Sequence, residues 1–493
     1  MMWKKNQTIR VLAKGGILTP AHLSRILEIV KLAGSSKVHF GSRQDLLFEV
    51  KTGKMPEVEA EFIKMKCDYI IYGNKEIRAQ NIVSSYVSAD IMNATSWLSS
   101  GNYLYVLENF KYQPTLCVNI ADPAQSLVPL MFGQLNFIAS PIQHYWYLYI
   151  RRTNKDLPVR WPVMVLSDDI GVVSQAFEQS WAEMQKGNVS DWFLFFQKRV
   201  SYNSRKIEIV PELDFKYSQD YEGFGRMSSS QNYWAGFYWR NNAYEIDFLE
   251  ELCSLCSKTG ISKICITPWK SFLVKEILPK DLVLWDMLLG KFGINMRHSS
   301  FDMNWHLPFN NKLALGLKRN IVKRFDKVDV CVYGLTFGVK EKNAFPFYSI
   351  QIEKNSGINI FNKFNLFSNF KISYAKDFNP NLGQYIIFND NVPGYQVAEV
   401  LKSLSLKFYS QYLHSKDDKL SKIELPKKIQ TTVYQCNNCQ TIYNEAKGLT
   451  IYNIPAGTRF EKIPDSFKCP LCDAPKSDFS AVFLEELLKN SLV

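Results

Sequence analysis

The sequence predicts an α+β fold in which one large unit occurs twice and a small separate domain follows near the C-terminus. Two segments with the same order of features, beginning near residues 16 and 244, indicate the duplication. Outside them, β-rich runs alternate with helical runs, which is typical of α+β proteins. Two Cys-x-x-Cys pairs near the C-terminus indicate the separate domain. A chain of 493 residues has room for two to four domains.

The first repeated segment begins with a predicted helix. Thr19 is a suitable cap, Pro20 a suitable first helical residue and Gly34 a suitable stop. A strand over 37–40 follows and leads through a polar turn into an apolar run that ends at Phe48. The apolar stripe of the helix has the spacing of one buried face, formed by Leu23, Ile26, Leu27 and Val30.

The second segment repeats this order. Asp247 is the predicted cap of a helix that ends at Gly260, a strand over 261–266 follows, and the turn that begins at Thr267 leads into an apolar run ending at Val274. The order helix, glycine, strand, turn and apolar run therefore occurs twice.

Residues 100–225 and 300–410 follow the two segments. The predicted strands there include Tyr103–Leu107 and Tyr385–Phe388, and Val397–Tyr412 is a predicted helix. The stretch 123–150 carries no charge, but Pro129, Gly133 and Pro141 interrupt it and its polar side chains would need partners in lipid. It predicts buried sheet and loop, and no membrane span.

Charge and cysteine content narrow the class of protein. The net charge is +12, divided as −1 over 431–493 and +13 over the rest. The lysines and arginines are scattered without a nucleic-acid motif, so no nucleic-acid partner is predicted. Six of the ten cysteines have no common spacing, which predicts free thiols rather than disulfides. Together with an N-terminus that lacks an apolar signal core, this predicts a cytoplasmic protein.

Four cysteines have the spacing of a metal site. Two Cys-x-x-Cys pairs let four thiolates converge on one ion, and tetrahedral sulfur ligation suits zinc or iron. Binding the ion would also supply folding energy to a domain too small to depend on its apolar core. The predicted ligands are Cys436, Cys439, Cys469 and Cys472.

The residues around these pairs favour iron. The chain reads Tyr-x-Cys-x-x-Cys, Pro-x-Gly-Thr-x-Phe, Pro-Asp, Cys-Pro-x-Cys and Pro-Lys-x-x-Phe between Tyr434 and Phe479, which closely resembles rubredoxin over nearly that family's whole length. The resemblance implies one iron ion held by four cysteines, which carries one electron. Three residues depart from the family pattern. Gln440 and Asp473 stand where the family usually has glycine at positive φ, and Phe467 stands where it usually has tryptophan.

The larger part of the chain resembles a second family. Ser42-Arg43-Gln44 and Thr267-Pro268-Trp269-Lys270, each following a strand, resemble the two ferredoxin-like half-domains of the sirohaem nitrite and sulfite reductases. Asn81-Ile82-Val83 and Asn320-Ile321-Val322 resemble the segments that begin the domain after each half-domain. The resemblance implies a basic central cavity for a tetrapyrrole or a small oxyanion, with Arg43 and Lys270 facing it.

One absence changes what this resemblance implies. The reductases ligate a [4Fe–4S] cluster through Cys-x₅-Cys and Cys-x₃-Cys, and this chain has neither pair. Cys253, Cys256 and Cys265 fall on a predicted helix and strand where core packing is expected, and Cys331 stands alone. The body is therefore predicted to be catalytically degenerate, and sirohaem is not expected.

The sequence thus predicts an electron carrier that is not itself an enzyme, with a redox protein as its partner and nitrite or sulfite assimilation as its setting. Two alternatives stay open: a tetrapyrrole-containing reductase supplied with electrons by the C-terminal iron, or a zinc-ribbon interaction protein. The predicted domains are a first half-domain (1–75), a first α+β domain (76–228), a second half-domain (229–300), a second α+β domain (301–413), a linker (414–430) and a rubredoxin-like domain (431–485).

Overall fold

A computed structural model describes residues 6–72, 79–92, 94–184, 187, 189–210, 213, 221–294, 304–341, 344–355, 369–420, 432–449, 452 and 454–483. Tertiary contacts divide the chain into two units, Met1–Phe408 and Tyr409–Val493. The predicted domain boundaries within the first unit stay predictions. Of the predicted linker, 414–420 continue a helix, and 421–430 lie outside the described residues.

The strands are β1 (Gln7–Val11), β2 (Ile17–Leu18), β3 (Lys37–Phe40), β4 (Leu46–Val50), β5 (Tyr69–Ile71), β6 (Val83–Ser84), β7 (Val118–Ala121), β8 (Leu135–Ala139), β9 (Tyr145–Ile150), β10 (Val159–Arg160), β11 (Val163–Leu166), β12 (Ser204–Lys206), β13 (Gly223–Arg226), β14 (Tyr233–Phe237), β15 (Tyr244–Glu245), β16 (Ile264–Ile266), β17 (Phe272–Ile277), β18 (Trp305–His306), β19 (Phe337–Val339), β20 (Ile350–Lys354), β21 (Asn369–Ala375), β22 (Tyr385–Pro393), β23 (Thr432–Cys436), β24 (Ile442–Tyr443) and β25 (Phe479–Phe483). The helices are α1 (Pro20–Leu32), α2 (Met55–Met65), α3 (Ser100–Asn109), α4 (Ile170–Gln179), α5 (Trp181–Met184), α6 (Val189–Gln197), α7 (Ile246–Lys258), α8 (Leu282–Phe292), α9 (Lys312–Lys327) and α10 (Val397–Leu420).

The predicted duplication is visible in two five-stranded sheets. The first has the order β15-β3-β4-β1-β5, and the second the order β2-β16-β17-β14-β13. The short strand before the helix of each repeat belongs to the sheet of the other repeat. Strand β2 precedes α1 and pairs with β16, while β15 precedes α7 and pairs with β3. Helices α1 and α7 pack against each other, and one apolar core is shared by both repeats. The two half-domains therefore form one structural body.

The two α+β domains also repeat each other. In the first, β6, β7 and β8 are parallel and β9 is antiparallel to β8. In the second, β18, β19 and β20 are parallel and β21 is antiparallel to β20. A helix, α3 or α9, connects the first two strands of each sheet, as a parallel connection requires. These features confirm the predicted α+β class.

Local predictions were confirmed where caps and spacing were clear. Thr19 caps α1 by accepting a hydrogen bond from the His22 amide, and Gly34 and Gly260 both adopt positive φ just after their helices. Strand β3 has the predicted bounds, and β16 covers the second half of the strand predicted over 261–266. The uncharged stretch 123–150 contains β8 and β9, which are almost wholly buried. No helix among the described residues has the length and apolar character needed to cross a bilayer.

Three local predictions were wrong. Residues 103–107 are helical, because Tyr103, Val106 and Leu107 form the buried face of α3. Asp247 lies in the first turn of α7 and the cap is Glu245, the last residue of β15, since strand pairing fixes where that helix begins.

The third error concerns the predicted equivalence of Asn81 and Asn320. Asn81 comes just before β6, whereas Asn320 lies inside helix α9. The residue that directly precedes the equivalent strand, β18, is Asn304. Helix α9 carries a strongly amphipathic pattern of its own, so the three-residue similarity at Asn320 was coincidental.

Candidate metal centre and body cavity

The two Cys-x-x-Cys segments fold into matching turns. The amide of Gln440 donates to the carbonyl of Cys436 over 2.9 Å, and the amide of Asp473 donates to that of Cys469 over 3.0 Å. Gln440 has φ 61° and Asp473 φ 56°, so both adopt the left-handed conformation that the family pattern implies. A side chain has replaced glycine in both turns, but the turn geometry is kept.

These turns bring four sulfurs together. All four Sγ atoms lie within 4.8 Å of one another, with Cys436 and Cys472 3.6 Å apart and Cys439 and Cys469 3.4 Å apart. In a regular tetrahedron with metal–sulfur bonds of about 2.3 Å the sulfurs are about 3.8 Å apart, so one ion fits among them. Cys436 and Cys469 are buried, whereas Cys472 is exposed. The centre therefore has one sheltered side and one open side.

Hydrogen-bond donors surround the sulfurs. The hydroxyl of Thr441 lies 3.0 Å from Sγ of Cys439, and this hydroxyl, together with the Thr441 amide, lowers the pKa of Cys439 to about 6. The amide of Ala474 points at Cys472 in the equivalent way. Donors aimed at sulfur stabilise thiolate charge and tune the reduction potential of an iron–thiolate centre. The donor set and its surroundings fit an Fe(Cys)₄ site.

A small aromatic core supports the site. Tyr434 stacks on Phe460 with ring centroids 4.1 Å apart, and Phe467 lies 5.8 Å from Phe479. The hydroxyl of Tyr443 donates to the Thr458 carbonyl over 2.6 Å. Phe467 is buried in this core, so it fills the position of the usual tryptophan.

Substituting Gln440 by glycine tests the strain in the first turn. A non-glycine residue at positive φ costs about 1 kcal/mol, so Gln440→Gly should stabilise the C-terminal domain by about that amount. Gln435→Gly is the matched control, because Gln435 lies in strand β23, where glycine weakens pairing and should lower stability. The midpoint of thermal unfolding of the iron-loaded domain measures both. Equal shifts in the two variants would contradict the role of backbone strain at Gln440.

In the body, both residues predicted for the cofactor site line one cavity of about 240 Å³. Each lies in the turn between the two central strands of a half-domain. The two turns have the same hydrogen bond. The Gly41 amide donates to the Asp45 carbonyl in the first, and the Thr267 amide donates to the Ser271 carbonyl in the second. By position in these turns, Gln44 and Lys270 are equivalent, and both adopt positive φ. Arg43 is therefore equivalent to Trp269 and not to Lys270.

Arg43 directs its guanidinium at backbone carbonyls. It donates to Asn81 over 2.6 Å, to Phe132 over 2.8 Å and to Val118 over 2.9 Å, and the side-chain amide of Asn81 donates back to the Arg43 carbonyl. Only its Nε lacks a partner among the described residues. Burial lowers the pKa of Arg43. Most of its donors therefore join the half-domain to the first α+β domain.

Lys270 is the other predicted cation. Its ammonium group donates to the Leu307 carbonyl, and burial lowers its pKa to about 8. His306 lines the same cavity, and its Nδ1 has no hydrogen-bond partner among the described residues. Burial and, secondarily, the charge of Lys270 hold the pKa of His306 well below its usual value. Sequence reasoning missed His306 because an isolated histidine has no spacing to mark it.

The six cysteines outside the metal centre do not form a cluster. Cys67, Cys253, Cys256 and Cys265 are buried in the apolar cores, while Cys117 lines the cavity and Cys331 is exposed. Among the described residues, the only group with metal-ligand geometry is that of Cys436, Cys439, Cys469 and Cys472. The six cysteines of the body therefore form no group with metal-ligand geometry in the part of the chain that the structure describes.

The fold and the site define a one-ion cysteine domain joined to a duplicated α+β body. The Rubredoxin family model matches residues 433–479, and the model of the nitrite/sulfite reductase ferredoxin-like half domain matches residues 4–65. Through its C-terminal domain, the chain belongs to the rubredoxin family.

Relatives support both parts. Rubredoxin-2 of Chlorobaculum tepidum is 47% identical over 49 residues, which is 10% of this chain and 94% of the relative. A probable Rubredoxin-2 of Methanocaldococcus jannaschii is 44% identical over 54 residues, 11% of this chain and 96% of the relative. The structure of the Mycobacterium tuberculosis NirA protein matches 80% of this chain and 79% of its own, with a TM-score of 0.60 and 13% identity. The body thus shares the NirA fold.

Proposed function

We propose that the chain transfers single electrons through an Fe(Cys)₄ centre held by its C-terminal domain. The convergence of the four sulfurs, with one side buried and the other open, carries this proposal. Iron held by Cys436, Cys439, Cys469 and Cys472 would supply a one-electron change between the ferric and ferrous states. The protein holds the four thiolates in place, shields two of them from water and stabilises their charge through Thr441 and nearby amides.

The body acts in this proposal as a scaffold without a reaction centre of its own. Reduction of nitrite or sulfite takes six electrons, and the family couples it to a cluster that the cysteines of this body do not provide. A role in nitrite or sulfite assimilation follows from shared fold alone. The partner is a redox protein, which would approach the open side of the centre at Cys472 and the exposed Leu471.

We also propose a cytoplasmic location and no nucleic-acid partner. Free thiols such as those of Cys253 and Cys256 persist in a reducing compartment. No nucleic-acid motif accompanies the scattered positive charge.

A second candidate is a reductase whose cavity holds a tetrapyrrole that receives electrons from the C-terminal iron. The cavity lined by Arg43, Lys270 and His306 favours it, because cations suit the carboxylates of a tetrapyrrole. In addition, Nδ1 of His306 has no partner in the described part of the chain and is available to bind a ligand. A zinc-ribbon interaction protein is the third candidate.

Visible absorption and metal analysis of the anaerobically purified chain separate the three candidates. We expect one iron per chain, with ferric–thiolate absorption that dithionite bleaches. A colourless protein containing zinc would overturn the electron-carrier assignment. A tetrapyrrole band, or turnover of nitrite or sulfite by the isolated chain, would overturn the proposal that the body lacks a reaction centre.

A further inference from the structure

Helix α8 of the second half-domain exposes an apolar surface, which we call the α8 face. Met287 is 67% exposed, and Val283 and Leu284 are exposed with it. These residues are three or four positions apart, so they share one side of the helix. The opposite side is buried in the core of the half-domains through Trp285, Leu288 and Leu289. The α8 face is defined by Val283, Leu284, Met287 and Gly290.

The duplication supplies a comparison, because helix α2 is the equivalent helix of the first half-domain. Each helix follows the second central strand of its half-domain and ends at a residue with positive φ. Counted back from these ends, Glu57 of α2 stands where α8 has Leu284, and it forms an ion pair at the surface. Every residue of α2 is described, and its one large exposed apolar side chain is that of Ile63, at the position of Gly290. The larger apolar surface of α8 is therefore not a requirement of the fold.

Gly290 leaves a recess in the α8 face. A side chain added at Gly290 would meet no atom within 4 Å, so packing inside the chain does not call for glycine there. Glycine also weakens a helix relative to alanine. The recess suits an apolar side chain that approaches from another molecule.

The α8 face is complementary to itself. At 100° per residue, Val283 and Gly290 lie on one flank of Met287, and Leu284 and Lys291 lie on the other. A two-fold axis beside Met287 makes the helices antiparallel and brings the residues before Met287 in one copy next to those after it in the other. Val283 of each copy then lies over Gly290 of the other, and Leu284 lies along the aliphatic part of Lys291.

The charges around α8 permit this contact. The turn and helix over 279–292 contain Lys280, Asp281, Asp286 and Lys291, so their net charge is zero although the whole chain carries +12. Antiparallel helices also place the positive N-terminal end of one near the negative C-terminal end of the other. Two copies can therefore approach at α8 without repulsion between like charges.

We propose that the α8 face is the contact of a homodimer, in which two α8 helices pack antiparallel with Val283 of each over Gly290 of the other. The apolar patch is on the order of a few hundred Å² per copy. A standard interface buries about 800 Å² per partner, so the dimer is weak, with a Kd on the order of 10 to 100 µM. This inference goes beyond the proposed function and does not depend on the iron centre, so the failure of either can be detected separately.

Sedimentation velocity of the full iron-loaded chain between about 1 and 200 µM tests the proposal. We expect a monomer at the low end and a growing dimer fraction at the high end. Met287→Glu should weaken the dimer at least about tenfold, because it brings two carboxylates together in an apolar contact. Val172→Glu is the matched control: Val172 is exposed on helix α4, and this variant should dimerise like the wild type.

Gly290→Leu separates the proposed packing from general apolar adhesion. It adds apolar surface to the α8 face but fills the recess opposite Val283, so it should weaken the dimer several-fold while the thermal midpoint stays at or above that of the wild type. Gly316→Leu is its control, since Gly316 is exposed on helix α9 with equally open space and lies outside the α8 face. It should leave dimerisation unchanged.

The ferric–thiolate absorption and the thermal midpoint verify that each variant is folded. A chain that stays monomeric over this range would overturn the proposal, whether another protein covers the face or water does. A dimer that Met287→Glu leaves intact would place the contact elsewhere. A stronger dimer in Gly290→Leu, or growth into larger oligomers, would contradict antiparallel packing about a two-fold axis.

Discussion

Substituting Cys469 by alanine is expected to remove the iron and unfold the C-terminal domain while the body stays folded. Cys469 is one of the two buried ligands, and three thiolates cannot complete a tetrahedral sulfur site. Metal-binding energy is folding energy in a domain of this size, and apparent values for structural zinc reach about 10 kcal/mol or more. The aromatic core around Phe460 is too small to replace it.

Iron content, visible absorption and the number of calorimetric transitions check this expectation. Wild-type protein should show a metal-dependent transition that the variant lacks, because the core of the C-terminal domain shares no residue with the cores of the body. Cys331→Ser is the control: it removes an exposed thiol outside the centre and should retain full iron. A Cys469→Ala protein that keeps one iron and both transitions would contradict the assigned ligand set.

The metal site was predictable from sequence because its determinants are local. Each Cys-x-x-Cys pair places two ligands within one turn, and the positive φ expected at Gln440 and Asp473 is present. Helix α1 was predictable for the same reason, since Thr19 and Gly34 mark its ends. The short apolar run that begins at Tyr103 fits the periodicity of a strand as well as that of a helix. It is helical in the structure, where Tyr103, Val106 and Leu107 form one buried face.

Features that depend on distant segments were not predictable. No local pattern shows that β2 and β15 each complete the sheet of the other repeat. The sequence placed Arg43 and Lys270 at a cavity, and both line one, but it did not show what their side chains contact. The three carbonyl partners of Arg43 come from segments that are 38 to 89 residues away. Only the folded chain shows that this cation is largely engaged by backbone.

Arg43→Met follows from that arrangement and should strongly destabilise the body. The substitution keeps an apolar stem of similar length but leaves the carbonyls of Asn81, Val118 and Phe132 without their donor. Each unsatisfied buried polar group costs about 1–3 kcal/mol. Methionine has no charge, so the substitution also removes the cost of burying a cation, and this gain offsets part of the loss. We therefore expect the free energy of unfolding to fall by about 3 kcal/mol.

Chemical denaturation of the body measures the loss, with Arg25→Met as control because Arg25 is exposed on helix α1 of the same half-domain. Arg43→Lys should recover only part of the stability, since one ammonium group cannot reach three carbonyls with the planar geometry of a guanidinium group. The opposite pattern would be a stable Arg43→Met protein that has lost binding of an oxyanion such as sulfite in the cavity. It would make Arg43 a ligand-binding residue, whereas the expected pattern makes it the connection between a half-domain and the domain that follows it.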